Sequence, residues 1–249
     1  MQVRDDHTMN TVLETIHARK SMRSYTEREI SPEDREAILA AAISAPSPGN
    51  QQLYTIIDVT DQELKEKLAK SCDNQPFIAE GKLVLIFCAD CLKWYEAYLD
   101  TGCEPRKPGT GDVMLAVTDA CIAAQTAVIA AESLGIGSCY IGDIMENCEI
   151  QRELLSLPPY VFPCAMLVFG YPTEQQLKRE KPPRPATERI VFDNAYPKLT
   201  AEDRKALFEH KCGEKDYEEW MQAFCNRKYS SDFSREMTRS VKEFLKDYE

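Results

Sequence analysis

The chain is 249 residues long, and its 30 Lys+Arg against 41 Asp+Glu give a formal net charge of −11. Nucleic acid is therefore an unexpected partner, because phosphates are held by a surplus of Lys and Arg. With 43% hydrophobic and 29% charged residues, the composition is that of a globular protein rather than a disordered or collagenous one, and the length allows a sizeable core.

Apolar residues at helical spacing predict helices over residues 10–19 and 32–44, the second with Ser31 as N-cap, Pro32 at the first helical position and Asp34 in the first turn. A Pro/Gly/amide-rich loop, residues 45–52, leads into a β-branched strand at 53–59 and a charged helix at 61–70. Residues 83–89 form a nearly continuous apolar strand, the pattern of a sheet covered by helices. Residues 112–134 have no Gly or Pro and are Ala/Val/Ile-rich almost all round, which predicts a central helix enclosed by protein. A short strand from Ser138 to Ile141, a helix at 145–155 and a strong strand at 162–169 follow. Residues 174–197 are rich in Pro and charge and read as a surface excursion, and three helical stretches occupy the chain from Thr200 onward. Within that tail, Trp220 and Phe224 share one helical face at i, i+4 spacing.

The longest uncharged stretch, residues 120–131, falls short of the roughly 20 apolar residues a bilayer requires, so no transmembrane helix is expected. Residues 1–10, with Arg4, Asp5, Asp6 and His7, lack the apolar core of a secretory signal, and a cytoplasmic location follows. The ten cysteines include Cys88, Cys121, Cys139 and Cys164 in segments that read as core, so most are expected as buried free thiols. Cys88 and Cys91 form the Cys-x-x-Cys spacing, but it lacks a second pair or a nearby His and reads as a strand-end coincidence. With only three histidines and no nucleophile elbow, neither a metal centre nor a Ser-His catalyst is expected.

Three segments are suited to a flat, anionic ligand. Arg19, Ser21 and Arg23 offer forked cationic donors and a hydroxyl after the first helix, enough for a phosphate monoester, although such a run alone is commonly a solvated face. The loop from Ala45 to Gln52 has two prolines, a glycine and three amide side chains suited to a pyrimidine-like edge, although alone it reads equally as an ordinary turn. Residues 135–143 contain glycines that end a helix instead of opening one, so the dinucleotide fingerprint fails, and backbone lying flat against a ring is the better use.

Together these segments resemble the nitroreductase family of FMN-dependent oxidoreductases. The resemblance rests on Arg19-x-Ser21-x-Arg23, on Ala45-Pro46-Ser47-x-x-Asn50-x-Gln52, on the run from Gly135 to Gly142, on Asn74-Gln75-Pro76-Phe77-Ile78, and on the Lys181-Pro-Pro-Arg184-Pro185 run leading to Tyr196. It implies an α+β, three-layer fold with a central mixed or antiparallel sheet flanked by helices. Residues 1–196 would form the FMN-binding domain, and residues 197–249 a C-terminal helical extension packing on the same domain or on a partner subunit.

Carried over by residue, the resemblance implies that Arg19, Ser21 and Arg23 hold the FMN phosphate and ribityl chain, with Lys20 contributing backbone and Arg184 and Lys181 a second basic contribution. Pro46, Ser47, Pro48 and Asn50 would reach the flavin from the other subunit of a homodimer. Asn74 or Gln75 would meet the pyrimidine edge, and Ile141, Gly142 and Asp143 would lie beside the ring and donate to N5. Family members often carry Glu where Asp143 stands, which leaves the main-chain N–H as the expected donor. No protein side chain is implied as catalyst and no metal is implied. The implied activity is a two-step, ping-pong hydride transfer from NAD(P)H to nitroaromatic, quinone or similar acceptors. A narrower reaction on the same fold, such as dehalogenation or biosynthetic oxidation, and a non-catalytic FMN-binding or sensing role are the alternatives. Trp94, Tyr95 and Tyr98 fall where the family's pocket has a variable wall.

Overall fold

In the computed structural model, residues 10–249 are described; the charged segment containing Arg4 and His7 lies outside them. Contact density divides the chain into two units, residues 10–179 with 237–249, and residues 180–236.

In the first unit the elements run in the order α1 (Thr11–Ala18), α2 (Pro32–Ile43), β1 (Tyr54–Asp58), α3 (Gln62–Ser71), α4 (Phe77–Glu80), β2 (Leu83–Asp90), α5 (Leu92–Asp100), α6 (Thr110–Ser133), β3 (Gly137–Ile141), α7 (Cys148–Leu155), β4 (Val161–Gly170) and α8 (Glu174–Lys178). The strands make one antiparallel sheet in the order β1-β2-β4-β3. A parallel bridge from Ser21 to Ser138 extends it beyond β3. Every residue of β2 and β4 is buried, so both faces of the sheet's centre are covered, as the continuous apolar runs predicted.

Local sequence accounts for most boundaries. Asn10, Ser31 and Asp61 cap α1, α2 and α3 by accepting from the N–H groups of Leu13, Asp34 and Leu64. The helix expected from residue 145 begins only at Cys148, because a 3-10 turn at Asp143–Met145 and a left-handed Asn147 (φ 51°) intervene. The aromatic run after β2 forms α5, whose start is held by Asp90: one carboxylate oxygen accepts from Leu92 N at 3.0 Å and Lys93 N at 3.2 Å.

Helix α6 lies against all four strands and against α2. Its inner face is mostly small, with Ala116, Ala120, Ala123, Ala124, Ala127 and Ala131 fully buried, which permits close approach to the sheet. By length and composition it is also apolar enough to cross a membrane, which the run of uncharged residues understated because Asp119 interrupts it. Its outer face is not enclosed: Met114, Leu115 and Ile122 are exposed, as is Cys121, which the sequence pattern had assigned to the core.

The end of α11 (Asp232–Leu245) belongs to the first unit. Phe244 is buried edge-on against Phe162 of β4 with ring centroids 5.1 Å apart, and Tyr248 meets Tyr160 at 5.6 Å. Ser240 Oγ accepts from Cys148 N at 2.9 Å, and Arg152 pairs with Asp247 at 2.5 Å. The second unit holds α9 (Ala201–Phe208), α10 (Tyr217–Lys228) and the start of α11. There Trp220 and Phe224 stack at 4.8 Å, as their spacing predicted.

The buried Phe244 ring anchors the C-terminus, so Phe244→Ala is expected to lower the unfolding free energy by about 3–5 kcal/mol in a urea titration. A loss within experimental error would show that the last helix contributes no core.

Candidate functional site

The Arg19–Arg23 segment leaves α1 and runs alongside β3. Met22 N donates to Ser138 O at 2.9 Å, and Tyr25 OH donates to Met22 O at 2.8 Å and to Val168 O at 3.0 Å. Gly137 is required for this approach, since a Cβ there would sit 2.6 Å from Met22 Cγ. Met22 and Tyr25 are thus buried anchors, while Arg19 and Ser21 are half-buried and Arg23 is exposed.

The three predicted phosphate donors lie near Cys139 of β3: the Arg23 and Arg19 charges and the Ser21 hydroxyl act on its thiol, which itself donates to Tyr140 O at 3.5 Å. These contacts favour the thiolate, but burial is the larger effect and raises the thiol above its ordinary value. Among the described residues neither Arg19 nor Arg23 pairs with a carboxylate. Ser138 Oγ, buried beside them, has no hydrogen-bond partner. Uncompensated guanidiniums around a hydroxyl are a donor set suited to a phosphate.

Lys20 turns away from this group and donates to Leu177 O at 2.7 Å and to Arg179 O, which ties the segment to α8. The Arg179 guanidinium donates to Ser21 O, adding a cation that the sequence reading missed. Its only signal was its place in the Lys/Arg-rich stretch after the last strand. Lys181 and Arg184 lie in the second unit, in an exposed stretch without helix or strand.

Beyond Cys139 and Tyr140, β3 ends at buried Ile141, followed by exposed Gly142 and half-buried Asp143. Gly142 and Asp143 open the 3-10 turn, so their N–H groups precede its first internal hydrogen bond, made by Met145 N to Gly142 O. The Asn74–Gln75 turn is attached to the following segment: Asn147 Nδ2 donates to Ser71 O at 2.9 Å, and the Asp143 charge acts on buried Cys72. Within the turn, Gln75 Nε2 is committed to Cys72 O at 2.9 Å, whereas exposed Asn74, at φ 51°, makes no side-chain hydrogen bond.

The 45–52 loop lies at the opposite edge of the sheet, feeding β1, where Asp90 N donates to Leu53 O at 3.0 Å. Three strand spacings, about 14 Å, separate that edge from β3. Pro46 and Asn50 are exposed and Pro48 is half-buried. The Ser47 hydroxyl is used internally, donating to Asp119 Oδ2 at 2.8 Å and accepting from Gln52 N at 2.8 Å. Beside the loop is a cavity of about 360 Å³ whose aromatic wall is Trp94, Tyr95 and Tyr98 and whose polar rim includes Arg106 and Asp112. Arg106 grips Asp112 with two bonds of 2.5 and 3.0 Å, holding that carboxyl below its usual range.

All ten cysteines are free. Burial pushes the thiols of Cys72, Cys88 and Cys91 up to about 12, so the Cys-x-x-Cys pair is protonated at neutral pH. Because the thiolate is the reacting form, alkylation of the native protein at about pH 7 and at about pH 9 is expected to label exposed Cys103 and Cys225 and to spare those three. Labelling of Cys88 or Cys91 in the native state, read by peptide mass spectrometry, would contradict this.

Residues 16–171 match the profile described as the Nitroreductase family. Over 94% of this chain and 90% of the relative, the sequence is 33% identical to an FMN reductase [NAD(P)H] of Bacillus subtilis. It is 34% identical to an oxygen-insensitive NADPH nitroreductase of Salmonella typhimurium over 80% of this chain and 79% of the relative. Among solved structures, the NADPH:FMN oxidoreductase from Vibrio harveyi complexed with NAD+ superposes with a TM-score of 0.81 at 26% identity, covering 95% of this chain and 98% of that one.

Proposed function

The chain belongs to the nitroreductase family, and from that premise we propose that it is an FMN-dependent enzyme that oxidises NAD(P)H and reduces nitroaromatic, quinone or similar acceptors. The observation that carries the reading is the group of unpaired cations, Arg19 and Arg23 with Ser21, fastened along β3 and ending at the exposed backbone of Gly142. Relatives named for FMN and NAD(P)H support the same cofactor and reductant.

The donor set fits FMN. Arg19, Ser21 and Arg23, with Arg179 beside them, would hold the phosphate and ribityl chain. Asn74, with its amide unused, is the better of the two candidates for the pyrimidine edge, since Gln75 is occupied. The N–H groups of Gly142 and Asp143, after Ile141, would face the ring's reacting edge. When bound, FMN supplies hydride-transfer chemistry between the nicotinamide and the acceptor in two successive half-reactions. The protein's part is position, electrostatics and a shielded stacking face, with no side chain acting as acid or base.

The enzyme is read as a homodimer with the flavin between subunits. Pro46, Pro48, Asn50 and the backbone around Ser47 sit at the far edge of the sheet from the phosphate grip, so the loop is better placed to complete a partner's site than its own. Helix α1 has no buried residue yet carries exposed Val12, Leu13 and Ile16, and the outer face of α6 exposes Met114, Leu115 and Ile122. Apolar surface of this extent supports a second copy as its cover. Ten free thiols suit a reducing compartment, consistent with the cytoplasm.

The purified, FMN-loaded protein is expected to lose its flavin absorbance anaerobically on adding NADH or NADPH and to regain it on adding a nitroaromatic or a quinone. In the same experiment Arg19→Ala is expected to bind FMN about 10- to 100-fold more weakly, the cost of one charge-assisted hydrogen bond. A flavin that binds but is bleached by neither nicotinamide would overturn the reductase reading. Separately, Ile122→Glu is expected to convert a dimer to a monomer by sedimentation equilibrium and to weaken FMN binding with it. A variant that remains dimeric would remove α6 from the interface.

A further inference from the structure

Helix α6 carries a buried carboxylate that the phosphate grip, the flavin edge and the interface do not account for. Asp119 is 1% exposed, on a face otherwise built of alanine and valine. A buried carboxylate is costly unless hydrogen-bonded donors compensate it. Here one oxygen carries the compensation: Asp119 Oδ2 accepts from Leu53 N at 2.7 Å and from Ser47 Oγ at 2.8 Å, while Oδ1 is buried without a partner. Ser47 Oγ passes the constraint on by accepting from Gln52 N at 2.8 Å. Trp94 Nε1 fixes the loop from the other side by donating to Gln51 O at 2.8 Å.

What is held in this way is an unfavourable backbone. Gly49, Asn50 and Gln52 all lie in the left-handed region, with φ of 59°, 55° and 48°. Glycine and asparagine accept that region readily, but Gln52 does not, and a residue of its kind is held there only when its surroundings over-determine it, as they do where a loop presents groups to a ligand. A connection from α2 to β1 needs neither a left-handed glutamine nor a buried acid. We propose that Asp119 is the positioning residue of the flavin-facing loop: it fixes the shape in which residues 46–50 meet the isoalloxazine, and it does so by geometry through Oδ2 rather than by charge. This deepens the functional reading above and rests on its assignment of that loop to FMN.

The geometry separates the substitutions that test it. In Asp119→Asn the amide oxygen can take the place of Oδ2 and keep both hydrogen bonds, with the amide nitrogen where Oδ1 had no partner. Asp119→Ala removes both bonds, and Ser47→Ala removes the link to Gln52 while leaving the Leu53 bond.

Two readings of each variant are needed. The first is the FMN dissociation constant of the folded apoprotein, by quenching of flavin fluorescence. The second is the emission of Trp94, recorded on the apoprotein in a Trp220→Phe background, where it reports the loop without flavin. Asp119→Ala is expected to shift Trp94 emission and to weaken FMN binding by about tenfold or more, with Ser47→Ala between it and the parent, and Asp119→Asn within about threefold of the parent.

An alanine variant that unfolds less readily or more readily but keeps the parent FMN constant would leave Asp119 merely structural and overturn the proposal. So would an asparagine variant as impaired as the alanine one, because charge would then be the requirement. If Asp119→Ala does not fold, Ser47→Ala decides: a parent-like FMN constant overturns the proposal. An unsubstituted protein that binds no FMN would sink the functional reading instead, and the Trp94 arm would still show whether Asp119 sets the loop.

Discussion

The small inner face of α6 is the constraint on which the other features hang. A four-stranded sheet whose two central strands are wholly buried must be covered closely, and the fully buried Ala116, Ala120, Ala123, Ala124 and Ala127 let α6 approach it. Because the helix sits close, its remaining side chains reach past the sheet on either flank. On one flank Asp119 meets the loop entering β1. On the other, Gln125 Oε1 accepts from Tyr140 OH at 3.3 Å on β3. One element therefore touches both halves of the candidate site, although those halves lie at opposite edges of the sheet.

The arrangement at β3 follows a different logic. There the chain is short of side-chain bulk, at Gly137, so that the Arg19–Arg23 backbone can lie against the strand and make a parallel bridge. Main-chain bonds position the segment and leave Arg19 and Arg23 free of carboxylate partners. In a protein with a net charge of −11, guanidiniums left without ion pairs and gathered at a strand edge form a local exception to the acidic surface. That exception is what an anionic cofactor would meet.

Much of this was legible along the chain. The caps Ser31 and Asp61, the continuous apolar runs of β2 and β4 and the unbroken helix α6 are local signals, and each produced the expected element. The Arg-x-Ser-x-Arg spacing was legible because donors two residues apart on an extended segment fall on one side. Helix α5 was not, since its start depends on the buried Asp90 carboxylate, which faces Leu92 and Lys93 only after β2 is in the sheet. Arg179 was missed for the same reason: it lies more than 150 residues from Ser21 in sequence, and only the fold brings them together. Cys121 was misassigned because an Ala/Val/Ile-rich helix looks apolar all round even when one face is left exposed.

By itself the sequence determined the strands, most of the helices, their order, the family and which side chains have the chemistry of phosphate donors, because capping, periodicity and donor chemistry are properties of neighbouring residues. Only the tertiary structure decided which of those residues are available. It withdrew the hydroxyl of Ser47 and the amide of Gln75 into internal hydrogen bonds, left Asn74 unused, and set the loop and the phosphate grip at opposite edges of one sheet. Availability depends on what each polar group meets across the fold, and those partners are fixed by strand order and by the close seat of α6, which no local stretch of sequence encodes.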